Sequence, residues 1–398
     1  MTGGRQHGSL LRTRREHEHE HGKVTFVELF FDLVFVFAIT QLSHLLLAHF
    51  TPMGAAETVL LLMAVWWAWI YTSWITNWLD PEKTPVRLAL FALMLAGLLM
   101  SASIPKAFEA RGLTFATAYV LIQVGRTLFM LWALGSGNER LTRNFLRVLA
   151  WLALSAVFWI AGGLADGHAR HVLWLIALSL EYVSPSLGFW TPRLGRSTTS
   201  DWDIDGGHMA ERCGLFVIVA LGESILVIGA TFSGLSWTPA TVGAFLASFV
   251  SSVAMWWIYF NIGAEAASRR IADSSDPGRL ARLAYTYIQV FIVAGIIVTA
   301  VGDELVLAHP SGHTDIKTVV ALLSGAALFL IGNILFKRVT ANRYPLSHLV
   351  GLALLALLVP ASQIASPVIF VAATSIVLVV VAVWETLSLA PRAAAQPS

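Results

Sequence analysis

The chain has 398 residues, of which 57% are hydrophobic and 13% charged; a soluble domain carries about 25% charged residues. At a mean hydropathy of +0.71 it holds more apolar surface than a water-soluble core of this size can hide. The net charge of +2 comes with no basic helix or basic–aromatic patch, which speaks against a nucleic-acid partner, and the single Cys213 excludes an intrachain disulfide and disfavours a Cys-based metal site.

In chain order, residues 1–23 form a polar, basic tail with no apolar run. No cleavable signal peptide is expected there, and the first apolar segment reads as a retained helix. Apolar runs of about 20 residues, long enough to span a bilayer, follow. They lie at 24–48, 56–79, 87–104, 113–134, 146–164, 171–190, 209–233, 241–262, 281–301, 317–337, 345–362 and 367–388. The expected fold class is an all-α polytopic membrane protein with about twelve transmembrane helices. Most breaks carry turn chemistry: Thr51-Pro52, Asp80-Pro81, Gly135-Ser136-Gly137, Asp166-Gly167, Asp276-Pro277-Gly278 and His309-Pro310. Fifteen Trp suit the water–lipid boundary.

Charge placement gives an independent reading of topology. With the N-terminus inside, 21 of the 26 Lys and Arg fall in inside segments and four, Lys106, Arg111, Arg170 and Lys317, fall in outside loops. That asymmetry puts both termini in the cytoplasm. The one left over from that count, Arg126, falls near the middle of a span.

Short motifs recur six spans apart. Trp66-Trp67 and Tyr71 in the second span answer Trp256-Trp257 and Tyr259 in the eighth. Gly125, Leu128 and Phe129 answer Gly332, Leu335 and Phe336, and Glu28 and Glu211 open the first and seventh. The expectation is a parallel six-plus-six repeat: tail 1–23, first repeat 24–190, linker 191–208, second repeat 209–388 and C-terminal tail 389–398.

Two segments carry a family resemblance. The first span reads Val27-Glu28-Leu-Phe-Phe-Asp32-Leu-Val-Phe-Val-Phe-Ala38, continuing to His44. The seventh opens His208-Met-Ala-Glu211-Arg212-Cys-Gly214 and reaches Gly222-Glu223-Ser224. These resemble the signature segments of the bacterial low temperature requirement protein A family, over nearly the whole chain. The resemblance implies a multi-pass protein of the bacterial cytoplasmic (inner) membrane, presumed to transport something. The first span is also similar to the Phe-Ser-Asp segment of a six-helix-repeat potassium channel family, but Phe31-Asp32 lacks the Ser.

A charge at mid-membrane costs about 2.5–3.5 kcal/mol on insertion scales, so buried ionisable residues mark sites. Glu28 and Asp32 are four apart and share one helix face. They lie about 6 and 12 Å from Val24, and Glu223 about 21 Å along the seventh span, at the 1.5 Å helical rise. With Arg126, His44, Glu181, His208, Glu211 and Arg212, they form the candidate set. One reading puts Glu28, Asp32 and Glu223 on a proton or cation path, with Arg126 as counter-ion or anion-binding group. The other is a structural ion pair, from Arg126 to Asp32 or Glu28. Glu28 and His208 read equally as solvated end residues, His44 as a packing residue, and the Trp pairs as packing and interface anchors.

Two patterns imitate metal sites. His17-Glu-His19-Glu-His21 reads as a solvated segment of the tail, though alternating imidazoles can bind a transition metal. Asp201-Trp-Asp203-Ile-Asp205-Gly206 begins like a calcium loop, but its twelfth position is Arg212 where the loop needs Glu. The acids are expected to cap the seventh helix. No nucleotide or hydrolase motif is present, and no cofactor is expected. The leading reading is a proton- or cation-coupled secondary transporter for a small molecule or ion. The alternatives are a cation channel and an intramembrane enzyme holding a lipid diphosphate at Asp201–Asp205. The lipid bilayer is the expected partner, and the reading allows a homo-oligomer.

Overall fold

Lipid offers no hydrogen bonds to a backbone, so long apolar runs must satisfy their own amides and close into helices. A computed structural model describes residues 10–12, 24–135, 138–198, 201–202, 205–261 and 277–393. Within them the chain is all α. Its twelve helices are α1 Phe26–Ala48, α2 Pro52–Thr76, α3 Thr84–Lys106, α4 Gly112–Leu134, α5 Glu139–Leu164, α6 His168–Val183, α7 Gly206–Ser233, α8 Pro239–Phe260, α9 Gly278–Ala308, α10 Ile316–Ala341, α11 Leu346–Ala361 and α12 Pro367–Ala393. Ten are long and apolar enough to cross a membrane. The other two, α6 and α11, have 16 residues each.

The helix ends follow the local chemistry. Pro52, Pro239 and Pro367 each open a helix, where a missing amide hydrogen costs nothing. Asn138, Thr238 and Asp315 cap α5, α8 and α10 by accepting from the backbone three residues on. Asn342 ends α10 in the left-handed region. The sequence reading ended the ninth span at residue 301, whereas α9 runs on to Ala308 and carries Asp303 inside the fold. Two helices contain π-helical turns, Leu121–Gly125 in α4 and Arg282–Ile288 in α9.

The chain forms two compact units. The first comprises Met1–Leu45, Pro52–Arg212 and Asp276–Arg279; the second comprises Leu46–Thr51, Cys213–Ser275 and Leu280–Ser398. In the first, Gly163 of α5 brings that helix against Leu113 and Ala116 of α4. Arg170, buried at the start of α6, donates to the carbonyls of Ala107, Glu109, Gly162 and Ala165. It ties the α3–α4 turn to the α5–α6 turn. Trp67 stacks on Tyr182 at 3.9 Å between ring centroids.

In the second unit, α9 and α10 touch backbone to backbone. Gly295 and Gly302 on α9, and Gly325 and Gly332 on α10, lie at the crossing. A Cβ on Gly295 would stand 2.4 Å from the Phe329 nitrogen, and one on Gly325 would stand 2.5 Å from the Thr299 nitrogen. Small residues permit this approach where lipid gives helices no hydrophobic reason to associate.

The paired motifs of the expected repeat occupy different surroundings. Trp66 and Trp67 are buried, while Trp256 and Trp257 are 44% and 42% exposed. Gly332 packs on Ile292, whereas a Cβ on Gly125 would meet nothing within 4 Å.

Candidate functional site

Helical spacing puts Glu28 and Asp32 on one face of α1, and His208 and Arg212 on one face of α7. The fold sets these faces together within the first unit. All four side chains are 0% exposed. Glu28 Oε1 lies 2.9 Å from His208 Nε2, and its Oε2 accepts from the backbone and hydroxyl of Thr25 at 3.0 Å each. Asp32 Oδ1 accepts from Arg212 Nη2 and from the Trp69 indole, both at 2.8 Å. Arg212 also donates to Ser73 Oγ at 3.2 Å, and its guanidinium lies over the Trp69 ring. Among the described residues, Asp32 Oδ2 and Arg212 Nε have no hydrogen-bond partner.

Asn77, just beyond α2, fixes the protonation geometry. Its Oδ1 accepts from the Asp205 backbone at 2.8 Å and its Nδ2 donates to the Asp205 carbonyl at 2.9 Å. The amide orientation is thereby set, and Nδ2 also faces His208 Nδ1 at 3.3 Å. Nδ1 must accept, so the proton of a neutral ring sits on Nε2 and donates to Glu28.

Arg12 completes the cluster. Its backbone donates to the Trp78 carbonyl at 2.9 Å, its Nε donates to Leu79 O at 3.2 Å, and Leu10 O accepts from Asp80. This short bridge delivers the Arg12 guanidinium to 3.5 Å from Glu28 and 3.3 Å from His208 Nε2.

Arg126 does not pair with Asp32 or Glu28. Arg212 takes that place, on the α2 face that carries Trp69 and Ser73. Arg126 instead donates to Ala68 O and Thr72 Oγ1 at 3.0 Å each, and to Gln123 Oε1. Gln123 Nε2 leads on to Glu181, whose carboxylate also accepts from Tyr119, Ser155 and, at 2.9 Å, Trp159. Glu181 is as buried as the first cluster.

The remaining candidates separate. Glu28 and His208 are not solvated ends. His44 and Glu211 are exposed, and Glu211 accepts from the Val24 backbone at 3.2 Å. Glu223 is buried in the part of α7 that belongs to the second unit. Asp205 caps α7, its Oδ1 accepting from Gly207 and His208. Asp201 accepts from the Thr198 backbone at 2.7 Å and hydroxyl at 3.0 Å, and pairs with Arg140 at 2.8 Å. The Thr198 hydrogen bonds, with the Arg140 charge, hold its carboxyl below the usual range. Asp203 and the His17–His21 segment lie outside the described residues. Among the described residues, no group of three or more His, Cys, Asp or Glu is placed to hold a metal.

Three buried groups in the second unit escaped the sequence reading. Asp303 accepts from Ser248 at 2.9 Å, and its Oδ2 has no hydrogen-bond partner among the described residues. Lys337 donates to both oxygens of Glu385, at 2.6 and 2.7 Å, and lies 3.2 Å from His348 Nε2. The signal is present in the sequence: Asp303 stands two residues past the expected span end, and Lys337 is the last residue of the expected span 317–337.

Long apolar helices whose few ionisable side chains are buried against one another define a multi-pass membrane protein. This chain belongs to the bacterial low temperature requirement A (LtrA) family, whose model matches residues 23–383. It is 45% identical over 376 residues to an uncharacterized protein of Rhizobium meliloti (strain 1021), covering 94% of this chain and 92% of that one. No solved structure matches it.

Proposed function

We propose that the chain is a proton-linked secondary transporter in which Glu28, Asp32, His208 and Arg212 handle the proton. The observation that carries this reading is a fully buried four-residue ionisable cluster in which the Asn77 amide faces the His208 imidazole at 3.3 Å. With Arg12 included, two carboxylates face two guanidinium groups, so a neutral His208 leaves no net charge. A proton added at Nδ1 meets the donating Asn77 amide. Glu28, Arg12 and Arg212 face the ring, and only Glu28 favours the added charge. Relief requires Asn77 to leave Asp205, which loosens the start of α7. A proton thus becomes a change in helix packing. In this reading α6 and α11 complete twelve spans, both termini are cytoplasmic, the two sixes are a parallel repeat, and Glu223 lies on the same proton path.

The test has two stages. A thermal-shift screen of the purified protein finds a substrate, since a ligand that binds the folded state raises its stability. Proteoliposomes with an entrapped pH dye then report substrate-driven proton movement. Asp32→Asn and Glu223→Gln should each abolish that movement in folded protein. Unchanged proton movement in both variants sinks the proposal, and conductance far above carrier turnover would favour a channel.

A further inference from the structure

Arg126 has a second feature that the proton cluster does not use. A cavity of about 300 Å³ lies among α2, α3 and α4, with Arg126 in its wall. This is the lower end of the ~300–1,000 Å³ range of small-molecule sites. Most of the lining is apolar, including Ile75, Leu79, Leu90, Leu93 and Phe129. Its polar side chains are Thr72, Thr76 and Arg126. At the rim Leu121 is 59% exposed.

Among the described residues, no carboxylate pairs directly with the charge at that wall. Each hydrogen-bond partner of Arg126, Ala68 O, Thr72 and Gln123, is neutral. The carboxylate of Glu181 is reached only through the Gln123 amide. The residue is 2% exposed, and its Nε has no hydrogen-bond partner among the described residues. Its guanidinium also lies over the Tyr71 ring at 5.5 Å, but no carboxylate touches it among the described residues, and a buried cation without a contacting counter-ion favours an anionic group beside it. The π-helical turn Leu121–Gly125 ends at Gly125, and a Cβ there would meet open space. The wall therefore leaves room where a side chain would otherwise stand.

We infer that this cavity binds a single-chain carboxylic acid, with its carboxylate at Arg126 and its alkyl chain along the apolar wall of α2, α3 and α4. The geometry combines one buried cation, two hydroxyls and an apolar groove with an exposed rim. That matches an amphiphile with one anionic end. The site stands whether or not the chain transports protons.

The test uses full-length protein in nanodiscs and a photoreactive dodecanoic acid that carries a diazirine. Labelling should map to α2, α3 and α4 and saturate. Dodecanoate should compete, and dodecanol, with the same chain and a neutral head, should compete about tenfold more weakly or worse. Arg126→Gln should lose the labelling, and so should Gly125→Leu, which fills the cavity and leaves the guanidinium in place. Thermal unfolding confirms that both variants are folded. Equal competition by dodecanol or by phosphatidylglycerol overturns the assignment, as does undiminished labelling in Gly125→Leu.

Discussion

Asn77 carries no charge, yet it sets which ring nitrogen of a neutral His208 carries the proton. Its amide satisfies both backbone groups of Asp205, and Asp205 in turn caps α7. Asn77→Ala should remove one hydrogen bond from each backbone group of Asp205, whose carbonyl also accepts from Met209 N at 3.3 Å, at a cost of about 1–3 kcal/mol. Hydrogen exchange at Gly207 and His208 should rise while the rest of the first unit stays protected. The Asp32–Arg212 pair makes a sharper energetic case. Removing either partner strands the other in a dry site, so Arg212→Gln and Asp32→Asn should each lower stability by about 3–5 kcal/mol. The double variant should cost less than the sum, and additive losses would show that the two are not coupled. Asp201 gives a pH prediction with a definite sign. Because Thr198 and Arg140 hold its folded carboxyl below the usual range, the unfolded chain binds more protons on the acid side. The stabilisation is complete above the ordinary carboxylate range and is lost as pH falls through the lower folded value. Asp201→Asn should therefore flatten the acid limb of the Thr198 amide's protection profile. High salt should weaken the same contact, since Arg140 is largely exposed.

At the scale of elements, the α9–α10 crossing leaves no room for an added side chain at Gly295 or Gly325. A methyl at Gly325 meets backbone, which cannot rotate away as a side chain can. Gly325→Ala should cost about 1–3 kcal/mol through overpacking, read as a lower unfolding temperature of the purified protein. Gly125→Ala is the control, because its Cβ has open space. The contrast matters because the two glycines that the motif comparison aligns, Gly125 and Gly332, do opposite things. α2 is the organising helix of the site. Successive residues on it serve two buried cations: Ala68 and Thr72 accept from Arg126, while Ser73 accepts from Arg212 and Trp69 lies under its guanidinium and donates to Asp32. One helix thereby holds two polar clusters without merging them.

For the whole molecule, the distribution of Lys and Arg makes a topological prediction. Replacing the single Cys213 with Ala gives a background for single-cysteine labelling. A cysteine at His313 or Glu109 should react with a membrane-impermeant maleimide added outside intact cells. One at Glu82 should react only after the membrane is opened. The reverse pattern would overturn the positive-inside assignment. Several cations in that count, including Arg147, Arg212 and Lys337, are buried against carbonyls or carboxylates. Their placement answers to packing as well as to topology, which is why a direct labelling experiment is needed.

The amino-acid sequence by itself determined that the chain lives in a membrane, roughly where its helices lie, and its family. Hydrophobic length and turn chemistry are local properties, and local properties survive in one dimension. It also named every member of the Glu28–Asp32–His208–Arg212 cluster, because a charge inside an apolar run is visible without a fold. Which charge meets which was a tertiary decision. Arg126 and Arg212 look equivalent along the chain, but only one lies on the face of α2 that carries Trp69 and Ser73. Asn77, Asp303 and the Lys337–Glu385 pair were hidden for the same reason. A neutral amide gives no hydropathy signal, and a cation near a helix end looks solvated until a carboxylate from another helix closes over it.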